Sequence, residues 1–288
     1  MAASISDSRC PVSDSDLQEA VRALADPAAY PHPVERVERI ETHISWVFLA
    51  GAYAYKVKKP VDFGFVDFST RRRRARFCHE ELRCNRRFAP ELYLDVVALE
   101  RAGEGGPFRV ATPPPEADEV PESERDEREL SGATAEADGR ERAVRMCRFD
   151  GEQELDRLVG RDEVDADALR AFGEDLARRH AALPRIEAGD RPVPALEPVL
   201  DNFASLRKTT VGGPEANRLD ELDRRARHAW EGLGPLCEAR LRDGFVRECH
   251  GDLHLSNLVR TEQGIRAFDC LEFNADLRRI DVMSDVAF

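Results

Sequence analysis

Residues 249–260 read CHGDLHLSNLVR. Two histidines, an aspartate and an asparagine fall within eight positions, a density that suggests chemistry, and two chemistries fit it. His250, Asp252 and His254 alternate along an extended segment, so their side chains would share one face and could hold a metal for hydrolysis. Asp252 and Asn257, five residues apart, also fit a phosphoryl-transfer loop. The remainder of the chain has to choose between them.

Working outward from that loop, NLVR and IRAFD read as two short strands around a turn at Glu262 to Gly264, and they end at Asp269. Asp252, Asn257 and Asp269 together are the parts needed to move a phosphoryl group. One aspartate orients the acceptor hydroxyl and receives its proton, while an asparagine and a second aspartate hold Mg²⁺ against the phosphates. The kinase pattern H-R-D-L-x-x-x-N followed by D-F-G has its counterpart here in HGDLHLSN followed by FDC.

Composition narrows the choice. A 288-residue chain can bury a sizeable core, as one large domain or two lobes, and a net charge of −13 argues against a nucleic-acid surface. The longest apolar run, Ile44 to Tyr55, is too short to span a bilayer, and the polar start MAASISDSRCPVSDSD has no apolar signal core. Cytoplasm is the expected location. The seven cysteines are odd in number and scattered without a C-x-x-C pair, so reduced, mostly buried thiols are expected. Only four of the 43 basic residues are lysine, and three of these are Lys56, Lys58 and Lys59. A chain that otherwise uses arginine thus places compact ammonium groups, suited to meeting a phosphate, in one strand.

The elements follow from periodicity. SDSDLQEAVRALAD predicts a capped amphipathic helix, and residues 44–59 a hairpin turning near Ala50 and Gly51. STRRRRARFCHEELRCNRRFAPEL predicts a helix that exits at Pro90, with Arg71 to Arg74 as a solvated helix start. LYLDVVALERA and RAVRMCRFD predict strands. Between them, residues 103–141 carry 11 acidic residues against three arginines from Glu116 to Glu141 and predict a long solvated loop. From Asp150 onward DADALRAFGEDLARRHAAL and NRLDELDRRARHAWEGL predict a mainly helical half.

With these elements in place, the chain resembles the bacterial aminoglycoside phosphotransferase-like kinases, relatives of the protein kinases. The glycine of HGDLHLSN and the FDCLEF that follows look like the small-molecule branch. ETHISWVFLAGAYAYKVKKP looks like the hairpin carrying the phosphate-binding lysine, EELRCNRR like the helix whose glutamate pairs with it, and RAVRMCRFD like the strand entering the hinge. More narrowly, the pattern is similar to the kinase-like domain that occurs in some bacterial proteins beside a P-loop ATPase domain. It covers most of residues 15–288 apart from the acidic insert.

The resemblance implies an α+β, protein-kinase-like bilobal fold, with a small antiparallel-sheet N-lobe over residues 1–149 and a mainly helical C-lobe over residues 150–288. It implies an ATP- and Mg²⁺-dependent transfer to a hydroxyl of a small molecule. Asp252 would be the catalytic aspartate, and Asn257 and Asp269 the Mg²⁺ ligands. Lys56 is the favoured phosphate-binding lysine because YAYK aligns with V-A-I-K, with Lys58 as the competing register. Glu81 would be the lysine's partner, with Glu80 behind it. Met146 would lie near the adenine. Glu272 belongs to the same pattern, at the metal site or as a support for its loop. Asp281 and Asp285 would brace the catalytic loop, and His180 and His254 are read as structural.

Two departures stand out. No G-x-G-x-x-G precedes the lysine, so the ETHIS turn would cover the phosphates through Thr42, Ser45 and backbone amides. The chain also stops at Phe288, 19 residues after Asp269, and contains no G-x-x-x-x-G-K-[ST], so a fragment or shortened relative is expected, with any P-loop ATPase partner outside it. A nucleotide-binding module without turnover and a metal-dependent hydrolase using HGDLH are the rival functions. The acceptor itself is not legible.

Overall fold

The Ser45–Ala50 and Tyr53–Lys58 segments form strands β2 and β3, an antiparallel hairpin whose turn is set by Gly51 at φ +58°. This is a computed structural model, and it describes residues 14–111, 140–187, 196–209 and 212–287. The chain is mixed α and β. Six strands, β1 (Val37–Glu41), β2, β3, β4 (Tyr93–Arg101), β5 (Phe108–Val110) and β6 (Glu141–Cys147), make one antiparallel sheet in the order β1-β2-β3-β6-β4-β5.

Both faces of the sheet's centre are covered, because the strands alternate two apolar sets. Phe48, Tyr55, Val57 and Leu99 form one core with Leu17 and Val21 of helix α1 (Asp14–Ala23) and with Leu24 just after it. Ala54, Val96, Val144 and Met146 form another with Cys78 and Leu82 of helix α2 (Arg71–Arg86). Fully burying side chains of this size contributes roughly 1.5–3 kcal/mol each, so α1 and α2 are fixed by their apolar stripes. Thr70 caps α2, its hydroxyl accepting from the Arg73 N–H.

After β6 the chain forms α3 (Leu155–Gly160), α4 (Ala166–Ala182), α5 (Glu197–Thr209) and α6 (Pro214–Arg242). Short strands follow: β7 (Val246–Glu248), β8 (Leu258–Thr261), β9 (Gly264–Ala267) and β10 (Arg279–Asp281), with α7 (Ala275–Arg278) before β10 and α8 (Val282–Val286) after it. β8 pairs with β9 and β7 with β10, both antiparallel. Their core joins Leu155, Leu158, Leu176, Leu253, Leu258 and Ile265 to Cys84 of α2 and to Phe88 just after that helix, so α2 is shared between the sheet and the helical half.

Four expectations need correction. VERIE, which lies outside the hairpin expected over residues 44–59, is the edge strand β1, whose charged and largely exposed side chains suit an edge but hide the strand pattern. The expected loop over 103–141 contains β5, and Glu141 begins β6; residues 112–139 of that acidic insert, like the polar start over residues 1–13, lie outside the described residues. Arg74, read as part of a solvated run, is buried and paired with Glu141. Asp281 does not brace the HGD loop but pairs with Arg240 of α6. Among the described residues no helix is long and apolar enough to cross a membrane.

Candidate active site

A cleft of about 870 Å³ opens along the α2 side of the sheet, lined by Leu49, Ala54, Lys56, Met146, Asn257 and Asp269 among others. Strand alternation turns Ala54, Lys56 and Lys58 to this side and Tyr55 and Val57 to the α1 core. Lys56 Nζ sits 2.9 Å from Glu81 Oε1 and 2.5 Å from Asp269 Oδ1. Burial works against the Lys56 ammonium, yet Asp269 and Glu81 outweigh it and hold its pKa well above the ordinary lysine value. Lys58, one pleat further in, is fully enclosed: its Nζ lies 2.8 Å from Glu81 Oε2, donates to Glu272 Oε1 and stands 4.7 Å from the centre of the Phe68 ring. One carboxylate on α2 therefore bridges two lysines of β3.

The HGD loop is built by a glycine and an aspartate. Gly251 has φ +83°, and a Cβ there would lie 2.9 Å from the Leu277 carbonyl oxygen, which is why a glycine stands at the loop's second position. Asp285 of α8 accepts from the His250 and Gly251 backbone N–H groups at 3.1 and 2.8 Å and from His180 Nε2 at 2.9 Å. Burial raises the Asp285 pKa, but His180 and these amides outweigh it and hold the carboxyl below its ordinary value. The turn at Gly251 sends the His250 ring inward, where Nε2 donates to the Phe268 carbonyl, and burial lowers its pKa. Asp252 remains partly exposed, and Asn257 Nδ2 donates both to its backbone oxygen at 2.9 Å and to its carboxylate at 3.0 Å.

Asp269 is tied down on its backbone as well as through Lys56. It adopts φ +59°, and its N–H donates to the buried Tyr93 hydroxyl at 3.0 Å. The next N–H, of Cys270, donates to Asn85 of α2 at 2.8 Å, and that of Leu271 to the His250 carbonyl. The Asp269 side chain is 45% exposed. Burial raises its pKa, and Lys56 outweighs that effect, so the carboxyl is held ionised below its ordinary value.

The structure thus brings Lys56, Met146, Thr42, Asn257 and Asp269 to one cleft, with Glu81 behind Lys56 and Asp252 joined through Asn257. It does not bring Lys58 or Ser45 there. Lys58 has no exposed side-chain surface, and Ser45, paired in register with Lys58, is fully buried, so neither reaches a ligand in the cleft. Thr42 lines the cleft, but its hydroxyl closes the turn by donating to the Ser45 carbonyl and accepting from the Ser45 N–H. Glu80 points away from the lysines to Arg83 and Arg278. His250, Asp252 and His254 do not converge. Among the described residues the histidine, cysteine and carboxylate groups that do are His180, Cys249 and Asp285, and Glu80, Cys84 and Glu248. Sequence reasoning missed Tyr93 and Arg278. Arg278 is buried and donates to the carbonyls of Leu271 and Glu272 and to Glu80 and Glu248; its position among exposed-looking charges in ADLRRID gave no signal.

On the far side of the HGD loop a second groove of about 730 Å³ is mostly apolar, lined by Leu176, Phe245, Leu253, Leu255, Met283 and Val286 among others.

No protein-family model matches the chain, and no solved structure matches it significantly. Curated relatives from Mycobacterium tuberculosis and Mycobacterium bovis, each described as an uncharacterized protein, are 28% identical over 265 residues. The match covers 89% of this chain and 46% of each relative, so the chain spans about half the length of the curated relatives it matches.

Proposed function

We propose that the cleft binds ATP with Mg²⁺ and that the chain transfers the γ-phosphoryl group to a hydroxyl of a small molecule, on a protein-kinase-like bilobal frame. The observation that carries this reading is the constellation on the cleft wall: Lys56 between Glu81 and Asp269, opposite an Asn257 that is hydrogen-bonded to Asp252. An ammonium beside an ionised carboxylate suits a phosphate with its counter-cation better than it suits a neutral ligand.

The donor set fits the metal. The Asn257 amide oxygen and the Asp269 carboxylate are hard oxygen ligands of the kind Mg²⁺ takes, and Asp269 is ionised and partly exposed. When bound, Mg²⁺ would neutralise negative charge on the phosphates. The chain's own residues do the rest. Leu49, Ala54 and Met146 give the base an apolar slot, Lys56 meets the phosphates, and Asp252, held by Asn257, orients the acceptor hydroxyl and takes its proton. A hydrolytic metal site in HGDLH is disfavoured because the three side chains do not converge and His250 Nε2 is already committed to Phe268. Cytoplasm, where ATP is available, is the location this reading implies.

The test is thermal stabilisation by ATP, with and without Mg²⁺, in wild type and in Asp269→Ala. Stabilisation that needs Mg²⁺ and disappears in Asp269→Ala is expected; phosphate transfer to hydroxylated acceptors then separates a kinase from a nucleotide-binding module. Stabilisation by zinc or manganese alone, with none by ATP, would sink the reading.

A further inference from the structure

Two lysines face Glu81, and the proposed chemistry needs only one. They differ in their freedom. Lys56 stands at the cleft wall, where its Asp269 partner is nearly half exposed, whereas Lys58 and Glu272 have 0% and 3% of their side chains exposed. A phosphate entering the cleft would draw Lys56 away from Asp269 and free that carboxylate for a cation. Lys58 has no such route, because it is enclosed by Glu81, Glu272 and the Phe68 ring.

From this geometry we infer that Lys58 and Glu272 form a buried latch, a pair of positioning residues that keeps Glu81 and the Asp269 loop in place while Lys56 exchanges Asp269 for phosphate. The latch ties three elements. Lys58 belongs to β3, Glu81 to α2, and Glu272 lies three residues after Asp269 on a loop otherwise fixed by Tyr93, Asn85 and His250. Each oxygen of Glu81 serves one lysine, so the Lys58 bond can persist when the Lys56 contact changes. The clustering of lysines in an arginine-rich chain then has two causes: one ammonium for the ligand and one for the frame.

This inference rests on the ATP and Mg²⁺ reading of the cleft, and its experiment separates the two. ATP affinity is measured by calorimetry in EDTA and at saturating Mg²⁺ for wild type and for the double variant Lys58→Met/Glu272→Gln, which removes one positive and one negative charge together. The ratio of the two affinities is the coupling between metal and nucleotide. The double variant is expected to lose about tenfold or more of that ratio while its affinity in EDTA changes by no more than about threefold, because Lys56 remains. Lys56→Met should do the reverse and lose affinity already in EDTA.

Glu272→Asp, which keeps the charge and withdraws the carboxylate by one methylene, should lower the ratio in the same direction, and it provides the measurement if the double variant does not fold. A folded double variant, or Glu272→Asp, with the wild-type ratio would overturn the latch and leave the pair as core packing. Wild type that binds no ATP under either condition would overturn the cleft reading itself, and the latch with it.

Discussion

At the residue scale, Gly251 carries two demands at once, a positive φ and a close backbone neighbour. Its φ of +83° is strained for any side chain, and a Cβ there would also meet the Leu277 carbonyl at 2.9 Å and Arg278 Cγ at 3.2 Å. Gly64 has nearly the same φ, +82°, with no atom within 4 Å of a built Cβ. The two positions therefore separate strain from crowding. Gly64→Ala is expected to cost about 1 kcal/mol in urea unfolding, the strain alone. Gly251→Ala should cost about 2–4 kcal/mol, because the loop must also move off a backbone oxygen. Equal losses would show that crowding at Gly251 is relieved without cost. The same comparison explains why a side chain has no room at position 251.

At the scale of elements, α2 organises the site, and two of its charged residues are buried for different reasons. Glu81 faces the lysines; Arg74 faces Glu141 of β6, with Nε 3.1 Å from Oε2 and further donations to the Phe68 and Ser69 carbonyls. Arg74→Met alone would leave the Glu141 carboxylate buried and unpaired, and a loss of about 3–5 kcal/mol is expected. Arg74→Met with Glu141→Leu should recover most of it, since replacing a whole buried pair by apolar groups is often near neutral. Denaturant unfolding of the single and double variants checks this, and a double variant no more stable than the single would count against the pair.

The same elements show what the sequence could tell. β2, β3, β4, β6, α2 and α4 were legible because each carries an apolar period that the core uses. The spacing of Asp252, Asn257 and Asp269 was legible because the proposed chemistry fixes it. β1 was not, since an edge strand needs no apolar face. Arg74 was hidden in a run of four identical residues, and only tertiary packing distinguishes it from Arg72 and Arg73, which stay exposed. Lys58 was half legible: period two put it on the face of Lys56, but depth along that face is set by α2 and by the Glu272 loop, both distant in sequence.

At the scale of the whole molecule, the sheet and the helical half are joined by charge as well as by the shared core. Glu248 of β7 accepts from Arg83 of α2 at 2.6 Å, from Arg87 just beyond that helix at 3.0 Å and from Arg278 of α7 at 3.1 Å. Its side chain is only 16% exposed, so water screens these contacts little. Burial alone would raise the Glu248 pKa, but the three guanidinium groups outweigh it and push the value from 4.5 down to about 2. A carboxyl whose folded pKa is depressed favours the folded state fully above its unfolded value, and that contribution fades as protons bind the unfolded chain first. Glu248 is therefore expected to contribute about 3 kcal/mol above pH 4.5, lost progressively as the pH falls toward 2.

Glu248→Gln tests this across the joint rather than at one site. The stability gap between wild type and variant should be widest above pH 4.5 and close as the pH approaches 2. Because Arg83 and Arg278 also hold Glu80, the variant should keep both halves folded at neutral pH while loosening the grip of β7 on α2. A gap that stays constant over that range would mean that the three arginines hold β7 by geometry alone, with no ionised carboxylate required.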